Sequence, residues 1–217
     1  MLRVFSYAGR TCRPELIACI ARGMCNRYRM SADETALAAT FGVFIPNDYS
    51  EPGGELFPKR PGLVLRRDVE PLVADVMSWG LPSPAFAKSP CTNVRNLDSP
   101  HWRNLLRDPA NRCLVPVTSF CEWSGEKGSK VEHWFSLRNR PLFAFAGLHR
   151  YVDDETGTYG FLTCEANPLV GAVHPKAMPV ILHAEDHDRW LDGSMDDVRE
   201  LAGPFPSQLM NVVEPPK

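Results

Sequence analysis

From Ser31 onward the spacing of apolar positions changes several times, and each change predicts an element. Ser31 followed three residues later by Glu34 forms a capping-box pattern, Leu37 and Phe41 share one helical face, and Gly42 supplies a stop, so a helix is expected over 32–41. Residues 47–61 hold Asp48, Pro52, Gly53, Gly54, Pro58 and Pro61 and predict a long loop of the kind that often binds a ligand. Strands are expected at 62–66 and 72–79, followed by a Pro- and Ser-rich connection over 80–100 and a short helix at 101–107. Further apolar or alternating runs predict strands at 112–117, 119–123, Val131–Leu137, Leu142–Leu148, Tyr159–Glu165 and Met178–Leu182. Helices then return at 184–192 and 195–202, acidic at their starts and followed by Gly193 and Gly203. This order predicts an α+β fold: a single domain around a curved, barrel-like, mostly antiparallel β-sheet with short peripheral helices, without internal repeats or a second-domain linker.

Composition sharpens that picture. Twenty prolines and fifteen glycines among 217 residues interrupt the chain too often for a helical bundle. The seven cysteines, Cys12, Cys19, Cys25, Cys91, Cys113, Cys121 and Cys164, form no CxxC pair and no metal-ligand spacing, which suits a reducing cytoplasm and predicts no metal. No apolar run approaches the roughly 18 residues of a membrane span, and no secretory signal pattern is present, so a cytoplasmic protein is expected.

Charge is unevenly distributed. The net charge of −2 gives no global attraction for nucleic acid, so any such contact has to come from a local basic surface. Residues 1–23 carry Arg3, Arg10, Arg13 and Arg22 against Glu15 alone, whereas the remainder is net acidic. This segment shows no strong period and is followed by Met24-Cys25-Asn26-Arg27-Tyr28, which reads like the start of a protein. Met24 is therefore expected to be the initiator and 24–217 the working domain; a structural extension and a transit or pro-segment are the other readings of 1–23.

Four segments carry candidate chemistry: Met24-Cys25-Asn26-Arg27-Tyr28; Thr92-Asn93-Val94-Arg95-Asn96; Arg112 to Pro116 with Phe120-Cys121-Glu122-Trp123; and His174-Pro175-Lys176-Ala177-Met178-Pro179. Together with Ser78-Trp79-Gly80-Leu81-Pro82 and Phe143 to Leu148, their order and rough spacing resemble the SOS response-associated peptidase family over about residues 24–200. One common pattern of that family places a single basic residue between the His region and Met-Pro, where this chain has Lys176 and Ala177.

The resemblance implies an abasic-site processing protein that binds single-stranded DNA; no cofactor and a monomeric state are expected. It further implies that the initiator Met is removed, leaving Cys25 as residue one of the mature chain. An N-terminal Cys is a 1,2-aminothiol, with an amine pKa of about 7.7–8.0 and a thiol pKa of about 8.5, so both groups have reactive fractions at neutral pH. The amine condenses with the aldehyde of an opened abasic sugar and the thiol closes a thiazolidine on the same carbon, giving a covalent protein–DNA linkage.

By the same resemblance Glu122 performs acid/base work, with partial burial raising its pKa, and His174 assists ring opening at the sugar oxygen. Asn93 is expected to hold the Cys25 amine or the sugar, and Arg27 and Arg95 to bind flanking phosphates. Trp79 and Trp123 are expected to stack on bases beside the lesion, with a place in the core as the ordinary alternative for each. Arg66, Arg67 and Arg103 either extend the basic surface or are simply solvated.

Three other activities stay open at this level. One is a cysteine peptidase using Cys25, His174 and either Asn93 or Glu122, with the leader itself as a possible substrate. Another is a single-stranded DNA-binding module without covalent chemistry. The third, β-elimination (lyase activity) at the abasic site, extends the capture chemistry through the same Schiff base.

Overall fold

The computed structural model describes residues 25–45, 54–68, 71–83, 89–126, 128–153 and 156–213. The expectations for 1–23 and Met24, and those for parts of 47–61 and 80–100, lie outside the described residues. In chain order the first elements are β1 (Tyr28–Met30), α1 (Glu34–Phe41), β2 (Val43–Phe44), β3 (Gly54–Leu56), β4 (Pro61–Arg66), β5 (Leu72–Trp79) and β6 (Asn93–Val94). Next come α2 (Pro100–Arg107), β7 (Arg112–Val117), β8 (Ser119–Ser124), β9 (Val131–Leu137), β10 (Phe143–Tyr151) and β11 (Gly157–Cys164). The chain ends with α3 (Pro168–Gly171), β12 (Met178–Pro179), β13 (Ile181–Leu182), α4 (His187–Asp192), α5 (Met195–Leu201) and β14 (Met210–Val213).

Five strands close on themselves. β5, β4, β7, β10 and β11 are successive antiparallel neighbours, and β11 returns to β5 in parallel through Thr158↔Ser78 and Tyr159↔Trp79. Closure removes both sheet edges and explains why β7 and β11 are buried along their whole lengths, with no alternation of buried and exposed positions. A second sheet, ordered β14-β9-β8-β1-β3, lies against this barrel and contributes Tyr28, Phe120 and Phe135 to the shared core. Tyr28 hydrogen-bonds Tyr159 at 2.5 Å between the two layers. Gly62 makes that approach possible, since a Cβ there would fall 2.1 Å from the Tyr159 hydroxyl. The architecture is the α+β barrel-like domain that the sequence predicts.

Three local expectations need correction. The cap of α1 is Asp33, whose carboxylate accepts the Ala36 N–H at 2.8 Å; the Ser31–Glu34 box does not form, because the helix starts two residues later than the pattern suggests. The loop expected over 47–61 contains β3 and the start of β4. The run Met178–Leu182 is two strands, because the chain changes partner at Val180: Met178–Pro179 pairs with β11 and Ile181–Leu182 with β10.

Candidate functional site

Cys25 lies on the lead-in to β1, which is inserted between β3 and β8. The carbonyl of Arg27 accepts the Cys121 N–H at 2.9 Å, so the chain before Tyr28 continues along β8 and carries Cys25 toward Cys121 and Glu122. The thiol is almost fully buried, with Sγ 3.7 Å from the Arg27 carbonyl and 3.9 Å from that of Cys121. From the other side, Asn93 in β6 donates through Nδ2 to the Cys25 carbonyl at 3.0 Å and to Thr92 Oγ1 at 2.9 Å. β6 is itself fixed by parallel pairing with β11, Asn93 lying opposite Phe161. The register of a barrel strand thus sets the position of the Cys25 main chain.

Alternation along β8 puts Glu122 on the same face as Phe120, which stacks on Phe135 with centroids 5.3 Å apart. A carboxyl group therefore continues an apolar row and is only 2% exposed. Its Oε2 lies 3.4 Å from Nδ1 of His174. His174 is delivered by α3, which Asn167 caps by accepting the Val170 N–H at 2.9 Å; the His174 N–H in turn donates to the Val170 carbonyl at 2.8 Å. Cys25, Asn93, Glu122 and His174 meet although they come from four separate segments.

Burial governs the ionisation of this cluster. Desolvation pushes the Glu122 carboxyl up to about 8, opposed by a hydrogen bond from the Cys25 thiol. The thiol is raised well above its ordinary value, first by burial and then by the Glu122 charge. His174 is lowered, first by burial and then by the charges of Lys176 and Lys130. Near neutral pH the site therefore holds a carboxylic acid, a neutral imidazole and a thiol. A proton donor with a pKa close to working pH sits beside a proton acceptor, which is the requirement for general acid/base chemistry. Asn93 Oδ1, Glu122 Oε1 and His174 Nε2 are buried without a hydrogen-bond partner among the described residues.

The residues expected to bind DNA are placed less uniformly. Trp79 is fully buried, stacked 5.2 Å from Phe161 and 6.4 Å from Tyr159, so it is a core residue and has no face for a base. Trp123 is half-buried and flanked by two cations, Arg27 at 5.8 Å and Lys130 at 5.9 Å from its ring centroid. Arg27 is bound by Glu55 and by Glu132, the latter at 2.5 Å. Arg95 is half-buried and one of its terminal nitrogens lacks a partner. Arg66 pairs with Asp68 and Asp75, each at 3.0 Å, and Arg67 with Asp188 and Asp192, so neither extends a free basic surface; Arg103 is exposed on α2. Lys130, Glu55 and Glu132 were not legible as site residues, because only the pairing of β1 with β3 and of β8 with β9 brings them near Arg27 and Trp123. Among the described residues, no group of three or more His, Cys, Asp or Glu side chains could hold a metal ion, and no helix is long and apolar enough to cross a membrane.

Solved structures share this fold. A protein from Bordetella bronchiseptica superposes with a TM-score of 0.75 at 22% identity, covering 88% of this chain and 100% of its own. One from Bacteroides thetaiotaomicron gives 0.71 at 23% identity, covering 88% and 92%. A phage-related protein from Bordetella bronchiseptica gives 0.68 at 21% identity, covering 87% and 93%. None of the curated proteins compared matches the chain. The family model described as SOS response associated peptidase (SRAP) matches residues 24–215.

Proposed function

This chain belongs to the SOS response associated peptidase (SRAP) family, and on that premise we propose that it captures abasic sites in single-stranded DNA covalently, through Cys25 as the first residue of the mature chain. Membership associates it with the DNA-damage response and with peptidase-like enzymes. The observation that carries the finer reading is the convergence of Cys25, Asn93, Glu122 and His174 in one buried cluster whose acid titrates at about 8.

The proposal requires initiation at Met24 with removal of that residue, or cleavage before Cys25. The freed α-amine adds to the aldehyde carbon of the opened deoxyribose, and loss of one water gives an imine. The Cys25 sulfur then adds to the same carbon while its proton passes to the imine nitrogen. One C–N bond and one C–S bond form, the C=O bond breaks and one water leaves. Glu122, protonated at neutral pH, donates to the departing hydroxyl and, once ionised, accepts the thiol proton on its way to nitrogen. Neutral His174 is the second proton carrier, suited to the sugar oxygen during ring opening. Asn93 holds the Cys25 carbonyl and so limits rotation of the amine and thiol together.

The intact mass of protein expressed from its native upstream DNA, followed by incubation with single-stranded DNA bearing one abasic site, tests the reading. A chain beginning at Cys25 that forms a denaturation-resistant adduct, lost in Cys25→Ala, is the expected result. An adduct undiminished in Cys25→Ala, or none from a chain that does begin at Cys25, overturns it.

A further inference from the structure

We infer that the turn following β3 is a second recognition element, in which Phe57 stacks on a nucleobase next to the abasic position while Lys59 and Arg60 contact flanking phosphates. This rests on the reading of Cys25 given above. With Trp79 sealed in the core, Trp123 is the one ring of the expected pair that is still partly exposed, and a second stacking surface has to be found elsewhere. Phe57 is 42% exposed, among the most exposed large apolar side chains of the described residues. The β1–β3 register, Tyr28↔Leu56, sets Phe57 opposite Arg27 and hence two residues from Cys25. Two residues of extended chain span about 7 Å, a distance comparable with one nucleotide step.

The turn is held firmly. The Arg60 N–H donates to the Phe57 carbonyl at 3.1 Å, the Lys59 N–H to the Trp79 carbonyl at 2.7 Å, and the Trp79 N–H to the Arg60 carbonyl at 2.9 Å. Lys59 has φ 69°, left-handed and uncommon for a residue with a Cβ, and these bonds keep it there. The Arg27 guanidinium, fixed by Glu55 and Glu132, packs 5.2 Å from the Phe57 ring centroid and steadies that side chain.

Charge identifies the occupant. Lys59 and Arg60 are exposed and have no carboxylate partner among the described residues, whereas Arg27, Arg29, Arg66, Arg67, Arg189 and Arg199 all do. One aromatic ring flanked by two uncompensated cations is too small for a protein interface, which needs roughly 1,000 Å². It suits a nucleotide: a π-face for the base and positive charge for its phosphates.

The test uses the whole protein and a single-stranded oligonucleotide with a central tetrahydrofuran, an abasic analogue without an aldehyde, so that binding is read without capture. Phe57→Ala is expected to bind it roughly 5- to 100-fold more weakly by fluorescence anisotropy. Phe57→Trp is expected to retain affinity and Phe57→Leu to be as weak as Ala, because stacking needs the ring. Replacing Lys59 and Arg60 together by Ala should lower the slope of log affinity against log salt by about 1.4, since each phosphate on a single strand contributes ~0.7. Unchanged binding by Phe57→Ala, with thermal unfolding like the parent, overturns the inference, and so does full rescue by Leu. Capture of aldehyde-bearing DNA by the parent is scored separately. A parent that binds the analogue through Phe57 but forms no adduct keeps this element and removes the covalent reading.

Discussion

On the helical flank of the barrel, most charged and polar side chains are matched one to another. Arg67 bridges Asp188 at 2.6 Å and Asp192 at 2.8 Å, Arg189 holds Asp197 at 2.7 Å and also Glu200, and Ser194 and Asp197 complete a capping box at the start of α5. At the Cys25 end the opposite holds: Asn93 Oδ1, Glu122 Oε1 and His174 Nε2 are buried and unpartnered. His149 in β10 and Arg112 Nη2 on the flank share that condition away from the site, so a single unsatisfied group does not define function. Three of them in one cluster with a thiol mark a candidate site, because each costs stability and a ligand is what can satisfy all three at once. The flank is built for the fold, and in the proposed function the Cys25 end keeps free valences for a substrate.

The sharpest way to break this contrast is Glu122→Gln. In the folded chain Glu122 keeps its proton to about pH 8, whereas exposed in the unfolded chain it loses it near its ordinary value of 4.5. Between these values the folded state binds more protons, so this group's contribution to stability falls as pH rises and levels off above about 8. His174, whose pKa is lowered, acts in the reverse sense, its contribution being lost as pH falls below 6.5, which leaves the interval from 6.5 to 8 to Glu122 alone. The expected total between pH 4.5 and 8 is on the order of 5 kcal/mol, of which about 2 kcal/mol falls between 6.5 and 8. Urea unfolding should show the parent weakening across that interval and Glu122→Gln staying level and exceeding it at pH 9, with slower adduct formation. A parent whose stability is flat from pH 6.5 to 8 means that Glu122 is not held as a buried acid.

The flank contains one buried charge of its own. Arg112 is 1% exposed and donates to the carbonyls of Leu106 at 2.9 Å, Trp190 at 3.2 Å and Gly193 at 2.6 Å, tying the ends of α2 and α4 to β7. Arg112→Met leaves three carbonyls unpaired and should cost about 3 kcal/mol, near 1 for each. A lowered urea midpoint with adduct formation intact under folding conditions is expected. A neutral substitution would mean that desolvating the guanidinium costs as much as its bonds return, and the flank would then not be the well-satisfied region described above.

Those two regions were unequally legible in the chain. Most strands can be read because they are long enough to show apolar runs or alternation, β7 as an apolar run buried on both faces of the barrel; β5, β7 and β9 fall where periodicity puts them. The short strands β1, β3, β6 and β14 have too few residues for a period and exist only through pairing with distant partners. Yet β6 and the lead-in to β1 bring Asn93 and Cys25 together, so the candidate site is legible through motifs and not through pattern. The same limit produced the misplaced cap of α1, since Ser31 and Asp33 offer competing oxygens and only the helix start decides between them. Asp33→Ala should cost about 1 kcal/mol and Ser31→Ala almost nothing, as read by thermal unfolding.

The smallest effect is also the most direct comparison of the two surfaces. Arg67, paired with two aspartates on the flank, gains little from them near solvent, where attraction is screened and ordering the side chains opposes it; Arg67→Ala is expected to lower stability by less than ~1 kcal/mol and to leave DNA affinity alone. Lys130 has no carboxylate partner among the described residues, lies 5.9 Å from the Trp123 ring and, with Lys176, lowers the pKa of His174. Lys130→Ala should leave stability unchanged, weaken analogue binding with a shallower salt slope, and let the pKa of His174 rise, as read by NMR titration of its ring. Removing either cation subtracts one positive charge from a chain of net charge −2, so equal losses of DNA affinity would mean that overall charge, and not position, attracts the strand. A loss confined to Lys130→Ala would show that the uncompensated charge at the Cys25 end acts locally.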